Sequence, residues 1–256
     1  MGTLSKSGKF LRQPTNGYEY EGLEADVLKA ILKEIDNEIA SSTDHAKLQG
    51  VYHAGSWPEI LDYPNSGDCD LVIAQISFTS DRTKDYDLMF SAPYFVPVRQ
   101  VLLQLSDSRS CVFANPNAAR IGCTKGTTAS KVLGHLVDQG MEIEIKTFQN
   151  LPSSRAALGE GQCDAILLDA SYVPKSTEDD QVVCYAIEGF LEKMDVPFNL
   201  RNQQYVVGVS KREPSLLAAI NRAIVGLYKA GEDGKSDIQD SINRYGLEEP
   251  QCQDCK

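Results

Sequence analysis

The uninterrupted apolar run Leu71-Val72-Ile73-Ala74 follows Gly67-Asp68 and is succeeded by polar residues. A short run without polar alternation is what a strand buried on both faces of a parallel sheet requires. Upstream, Leu23, Val27, Ile31, Ile35 and Ile39 repeat every four positions, and Leu28 and Leu32 widen the stripe. That spacing predicts an amphipathic helix lying against the sheet. Strands predicted over 120–123, 142–148 and 163–168 enclose two helices, which together make a βαβαβ unit of its own. The first helix, over 129–139, carries Val132, Leu133, Leu136 and Val137 and is stopped by Gly140; the second runs through Ala156-Ala157-Leu158. A further strand over 205–210 leads into a helix with Leu216, Leu217, Ile220, Ala223, Ile224 and Leu227 on one face. The last helix begins near Ser236, whose spacing to Gln239 fits a capping box.

The fold class is therefore α/β, and the absence of a Gly/Ser or Pro-rich linker between the units suits a discontinuous arrangement. Crossings near Phe95–Arg99 and Asn199–Tyr205 put residues 1–96 and 205–256 in a first lobe and 97–204 in a second. At 256 residues there is enough chain for two lobes, each with a core. Apolar content of 42% and charged content of 24% are those of an ordinary soluble globular protein, and no stretch approaches the length of a membrane span. A net charge of −11 argues against nucleic acid or an anionic membrane surface as partner.

Three places carry candidate binding chemistry. Gln75-Ile76-Ser77-Phe78-Thr79 leaves the carboxyl end of the first predicted strand, where open α/β sheets place their ligands. Arg82 follows, and a guanidinium beside free backbone N–H groups suits a bidentate grip on a carboxylate; the alternative is a surface arginine paired with Asp81 or Asp85. Lys125-Gly126-Thr127-Thr128 opens a helix whose first-turn N–H groups and Thr hydroxyls form an anion site, or simply a good cap. Asp169 ends the strand Asp164-Ala165-Ile166-Leu167-Leu168, either to accept a ligand ammonium or to cap the next helix. Asp164 is read as structural.

The segment from Ser56 to Tyr94, SWPEILDYPNSGDCDLVIAQISFTSDRTKDYDLMFSAPY, resembles the carboxylate-binding segment of type 2 periplasmic, solute-binding proteins for amino acids. That family shares its fold with the ligand-binding domains of ionotropic glutamate receptors. The resemblance implies two lobes, each a mostly parallel sheet flanked by helices, with a ligand cleft between them. It implies that Arg82, Ser77, Thr127 and Thr128 hold an α-carboxylate, the last two through a Gly-Thr-Thr that matches residue for residue. Asp169 and the Gln75 carbonyl would hold the α-ammonium. Trp57 corresponds to an aromatic that packs on the ligand side chain in several relatives, or else is a core residue. Phe10 or Tyr18 would supply the aromatic of the N-terminal loop, whose Ser7–Tyr18 stretch departs from the usual Pro-Phe pattern, and Leu4 near an acid position disfavours a basic ligand.

Cys69, Cys123 and Cys163 lie in or beside apolar strands and read as small core residues. The receptor domains tie the chain end to the second lobe by a disulfide, so the resemblance implies a bond from Cys184 to Cys252 or Cys255, and an oxidising compartment. Other chemistry is not indicated. Gly234-Lys235-Ser236 lacks the first glycine of a phosphate loop, no Gly-x-Ser-x-Gly elbow occurs, and His45, His53 and His135 lack metal spacing and read as exposed. Cys252 and Cys255 have the spacing of half a zinc site, with no second pair. No cofactor is expected.

The function expected is binding of a free amino acid with hinge closure, by a monomer serving a membrane permease or joined to receptor transmembrane segments. Nothing between Tyr94 and Gly126 looks like a membrane insertion, which favours the free binding protein. The residues MGTLSKSGKF lack a secretion signal's apolar core, and Lys6 breaks a myristoylation motif, so the chain is cytosolic or has lost a leader. The resemblance favours a periplasmic or extracellular location. The alternative is an enzyme like the cyclohexadienyl or arogenate dehydratases, which share the fold and a Ser-Trp-Pro start. Those enzymes use a Glu just after the acid at the second-lobe strand end, and Asp169-Ala170-Ser171-Tyr172 has none.

Overall fold

The computed structural model describes residues 20–40, 48, 50–53, 55–108, 110–116, 118–173, 182–231 and 234–255. In the first segment come α1 (Leu23–Ala40), α2 (Tyr63–Ser66), β1 (Leu71–Ser77), α3 (Ser80–Asp85) and β2 (Leu88–Phe90). The middle segment holds β3 (Phe95–Leu105), β4 (Ala119–Thr124), α4 (Thr128–Asp138), β5 (Ile143–Phe148), α5 (Leu151–Gly159), β6 (Ala165–Asp169), β7 (Val182–Ala186), α6 (Glu188–Lys193) and α7 (Phe198–Arg201). The chain returns through β8 (Asn202–Ser210), α8 (Pro214–Tyr228) and α9 (Asp237–Arg244) to β9 (Gln253–Asp254). It divides into two compact units: the described residues up to Val96 with Gln204–Glu248, and Pro97–Gln203 with the tail from Glu249.

In the first unit β1 and β2 both pair antiparallel with β8, so the parallel character inferred from unbroken apolar runs is not found in its described ladders. The runs are apolar because both faces are covered. Ile76, Leu88 and Val206 join a cluster with Ile60 and Leu61, while Leu23, Val27 and Ile31 of α1 are fully buried. Asp26 accepts a 2.6 Å bond from Ser241 Oγ, which ties α1 to α9. Ser236 caps α9 by accepting from Gln239 N at 3.4 Å. The reciprocal half of the expected capping box is missing, because the Gln239 side chain bonds Asn243 Oδ1 instead.

The second unit is the predicted βαβαβ core with edge strands added. β4 lies between β5 and β6, parallel to both, and β3 pairs antiparallel with β6 and β7. Successive residues divide between two cores, as the period of two demands. Leu102 and Leu167 enter a cluster with Val132, Leu133 and Leu136 of α4, and Val101, Leu103, Ile166 and Leu168 enter one with Ala157 and Leu158 of α5. Asp164 is structural, as expected: its carboxylate takes the Arg120 backbone N at 2.8 Å and the guanidinium Nη2 at 2.6 Å. The Arg120 guanidinium beside it holds its carboxyl below the usual range.

The chain end differs from the expected lobe boundary. The tail from Glu249 belongs to the second unit, not the first, because covalent bonds and a strand hold it there. Cys252 is bonded to Cys184 and Cys255 to Cys111, with Cα separations of 4.7 and 5.3 Å. β9 pairs parallel with β7, and Arg99 bridges Glu188 and Glu249 at 3.2 and 2.9 Å. Cys252 is thus the partner of Cys184, and the Cys111 bond had no sequence signal. Cys123 and Cys163 are buried free thiols, whereas Cys69 is only half-buried, contrary to its reading as a core residue. His53 is exposed, whereas His135 is half-buried, contrary to its reading as exposed. No metal-binding group of His, Cys, Asp and Glu occurs among the described residues.

Peptide mapping without reduction is expected to recover Cys184 with Cys252 and Cys111 with Cys255, leaving Cys69, Cys123 and Cys163 as thiols. Replacing Cys184 and Cys252 together by Ser opens a loop of 68 residues and is expected to cost about 2–4 kcal/mol in urea unfolding. Recovery of Cys255 with Cys184 would contradict the pairing.

Candidate ligand site

In the first unit the site grows out of a break in the β1–β8 ladder. Val72 faces Gly208, but Ile76 faces Val206. β1 therefore advances four residues while β8 advances two, and the surplus is absorbed around Gln75. Gln75 has a φ of 52°, the left-handed region in which a side chain is uncommon and a local hydrogen bond is needed to hold it. That bond comes from Glu24, in the first turn of α1. Its Oε1 accepts from Gln75 N at 2.6 Å and from Tyr94 Oη at 2.6 Å.

Glu24 is 2% exposed and Tyr94 fully buried. Burial pushes the Glu24 carboxyl up to about 7 against the opposing pull of the Tyr94 and Gln75 bonds. The sequence reading did not single out Glu24. A signal existed: it lies four residues before Leu28, within the apolar stripe, where a carboxylate is out of place unless it has partners.

Past the break, Ser77 and Arg82 lie together. Thr79 caps α3 by accepting from Arg82 N at 3.4 Å, which turns the Arg82 side chain back over the strand end. Its Nη1 donates to the Ser77 carbonyl at 2.5 Å, and its Cζ sits 4.9 Å from the Trp57 ring centroid. Arg82 is 4% exposed, so it is a buried arginine rather than a surface one. A guanidinium stacked on an aromatic face and anchored at one nitrogen is pre-oriented, so less entropy is lost when it binds an anion. Trp57 touches the apolar cluster of β1, as its core reading expects, while its face covers Arg82. Phe10 and Tyr18 lie outside the described residues.

In the second unit the candidate groups share one edge of the sheet, because β4 and β6 are parallel neighbours and both point their carboxyl ends the same way. After β4, Gly126 takes a φ of 72° and Thr127 stands at the N-cap of α4. Thr127 makes no capping bond; its hydroxyl donates to the Thr124 carbonyl at 2.7 Å. The first-turn N–H groups of α4, among them that of the buried Thr128, are thus not covered by the cap side chain. Asp169 ends β6 and likewise makes no capping bond to the 3₁₀ turn at Ala170–Tyr172. Its Oδ1 instead accepts from Nε2 of Gln100, the residue facing it across the ladder. Gln100 is buried and was not anticipated from sequence. Both capping alternatives are therefore unrealised, and each group is held by a neighbour in a defined orientation.

Residues 3–237 match the family model of bacterial extracellular solute-binding proteins, family 3. The glutamine-binding protein GlnH of a Bacillus subtilis ABC transporter (strain 168) is 25% identical over 227 residues, 89% of this chain and 73% of the relative. The L-cystine-binding protein TcyJ of Escherichia coli (strain K12) is 28% identical over 191 residues, 73% of this chain and 65% of its own. The crystal structure of the substrate-binding protein of an amino acid ABC transporter superposes with a TM-score of 0.70 at 20% identity, over 92% of this chain and 93% of that one. That likeness shows the two-lobed fold.

The Glu24 carboxyl gives a signed pH dependence of stability. Its value rises on folding from an ordinary 4.5 to about 7, so the folded state binds the extra proton between these values. Its contribution is full below about pH 4.5 and is lost as pH rises to about 7, by roughly 3 kcal/mol. Glu24→Gln keeps the shape and removes the ionisation. Its melting temperature relative to the wild type is expected to climb between pH 5 and pH 8; a difference independent of pH would contradict a buried titrating carboxyl.

Proposed function

Because the chain belongs to the bacterial extracellular solute-binding proteins, family 3, we propose that it captures a free amino acid in its zwitterionic form and does not transform it. The observation that carries the reading is the buried Arg82 guanidinium, stacked on Trp57 and anchored at Ser77. In this reading Arg82 and Ser77 grip the α-carboxylate from the first unit, and Thr127 and Thr128 take it at the first turn of α4. The Gln75 carbonyl and the Asp169 carboxylate, oriented by Gln100, accept the ammonium. A ligand held by groups of both units favours whichever arrangement lets both engage it, the population shift of a hinged receptor. Several charge-assisted bonds in a desolvated site are consistent with micromolar affinity or better, about −8 kcal/mol.

The role that fits is delivery to an ABC-type permease in the periplasm or outside the cell. Relatives named for glutamine and cystine binding support a transport role. No helix among the described residues is long and apolar enough to cross a membrane.

A thermal-shift panel of the twenty amino acids, with prephenate and arogenate added, tests the reading. A ligand at a hundred times its dissociation constant adds about 2.7 kcal/mol to stability. A shift with one or a few amino acids is expected, and a shift with prephenate or arogenate alone would replace capture by dehydration. Arg82→Ala is expected to abolish binding with the fold intact. Asp169→Ala is expected to weaken amino acids far more than simple carboxylates, and equal weakening would remove the ammonium role.

A further inference from the structure

Glu24 is not among the groups proposed to contact the ligand, yet it holds the peptide that precedes one of them. The Ala74–Gln75 peptide is planar, so fixing its N–H against Glu24 Oε1 at 2.6 Å fixes the plane from which the left-handed Gln75 sets out. The direction of the Gln75 carbonyl follows from that plane and the residue's own dihedrals. Tyr94 Oη, at 2.6 Å from the same oxygen, holds the carboxylate in turn. Tyr94 is anchored through its own backbone, donating N–H to the Tyr205 carbonyl at 2.9 Å. We propose that Glu24 is a positioning residue for the ligand ammonium: its ionised carboxylate fixes the Gln75 peptide in the conformation that aims the Gln75 carbonyl, and so makes binding pH-dependent. The inference rests on the amino-acid reading above.

Among the described residues the surroundings leave Glu24 as the group to titrate. On α1 the neighbouring Asp26 is engaged by Ser241 Oγ at 2.6 Å and Arg244 at 3.6 Å, both from α9. On α8, Arg222 pairs with Glu34 and Glu38, farther along α1. β1 carries no charged side chain between Leu71 and Ser77, and the segment 90–95 around Tyr94 carries none. No charged side chain is among the causes of the Glu24 shift, which are burial and the Tyr94 and Gln75 bonds. An ionised carboxylate makes the stronger, charge-assisted acceptor for both donors. Protonation weakens these bonds and adds an O–H that needs a partner of its own. An approaching ammonium favours the ionised form further, so by linkage the ligand expels the proton and affinity rises with pH.

The test measures affinity by calorimetry from pH 5.5 to 8, an interval in which the α-ammonium and α-carboxylate stay charged. The probes are the twenty common L-amino acids and, for the one that binds tightest, the carboxylic acid of the same skeleton lacking the α-amine. For the wild type the amino-acid affinity is expected to fall below about pH 7, approaching tenfold per pH unit if only the ionised form binds, while the amine-free acid shows little change. Glu24→Gln is expected to give a weak, flat profile for the amino acid with near-normal affinity for the amine-free acid. Tyr94→Phe removes a bond that lowers the Glu24 value, and is expected to move the midpoint of the profile to higher pH. It keeps the proposal open to test should Glu24→Gln fold poorly.

An unchanged profile in both variants would overturn the proposal and leave amino-acid capture standing. So would equal loss of amino acid and amine-free acid in Glu24→Gln, the signature of a purely structural role. No amino-acid binding by the wild type at any pH would overturn the reading beneath it as well.

Discussion

A strand that breaks register must do something with the backbone groups it unpairs, since a buried N–H without an acceptor costs about as much as a lost hydrogen bond. In this protein the break falls at Gln75 of β1, and the answer is a carboxylate brought from α1. Much of the first unit's local structure follows from that contact. The first turn of α1 must pack against β1 at Gln75, and Tyr94 must be buried deeply enough for its hydroxyl to reach the same oxygen. Beyond the break the strand continues to Ser77, whose carbonyl then meets the Arg82 guanidinium. The ladder is interrupted where an open sheet presents backbone to a ligand.

The second unit solves a different problem with fewer special parts. Parallel strands β4 and β6 bury both faces, so side chains at their ends are the ones able to carry charge. Thr127 and Asp169 stand at such ends, and both decline the capping bonds that their positions offer. Thr127 turns to the Thr124 carbonyl, Asp169 to Gln100. Each polar group is thereby held in one orientation by a neighbour, the pre-organisation that the proposed ligand capture calls for.

Elements whose signal is periodicity were legible in the sequence. The α1 stripe, the βαβαβ core and the α8 face appear where their apolar spacing put them, and Arg82 is buried beside Ser77 at the end of β1. What escaped was fixed by contacts distant in sequence. Glu24 meets Gln75 across 51 residues and Tyr94 across 70, and no local pattern marks either partner. The Cys111 bond to Cys255 spans 144 residues. The antiparallel pairing of β1 with β8 escaped for a related reason. An unbroken apolar run reports burial of both faces, and helices covering an antiparallel ladder produce the same run as helices covering a parallel one.

Burying Glu24 has a cost, and the cost bears on why the residue is ionisable. An amide in its place could accept the same two donors without desolvating a charge, so stability alone does not account for a carboxylate. A carboxylate differs in being a stronger acceptor when ionised and in favouring a cation nearby. In the proposed capture of a zwitterion Arg82 supplies positive charge for one end, and the acids proposed for the other are Asp169 in the second unit and, at one peptide's remove, Glu24 in the first. A negative charge behind the Gln75 backbone would, on that proposal, let the first unit favour an ammonium through an oriented carbonyl while the carboxylate itself remains shielded from water.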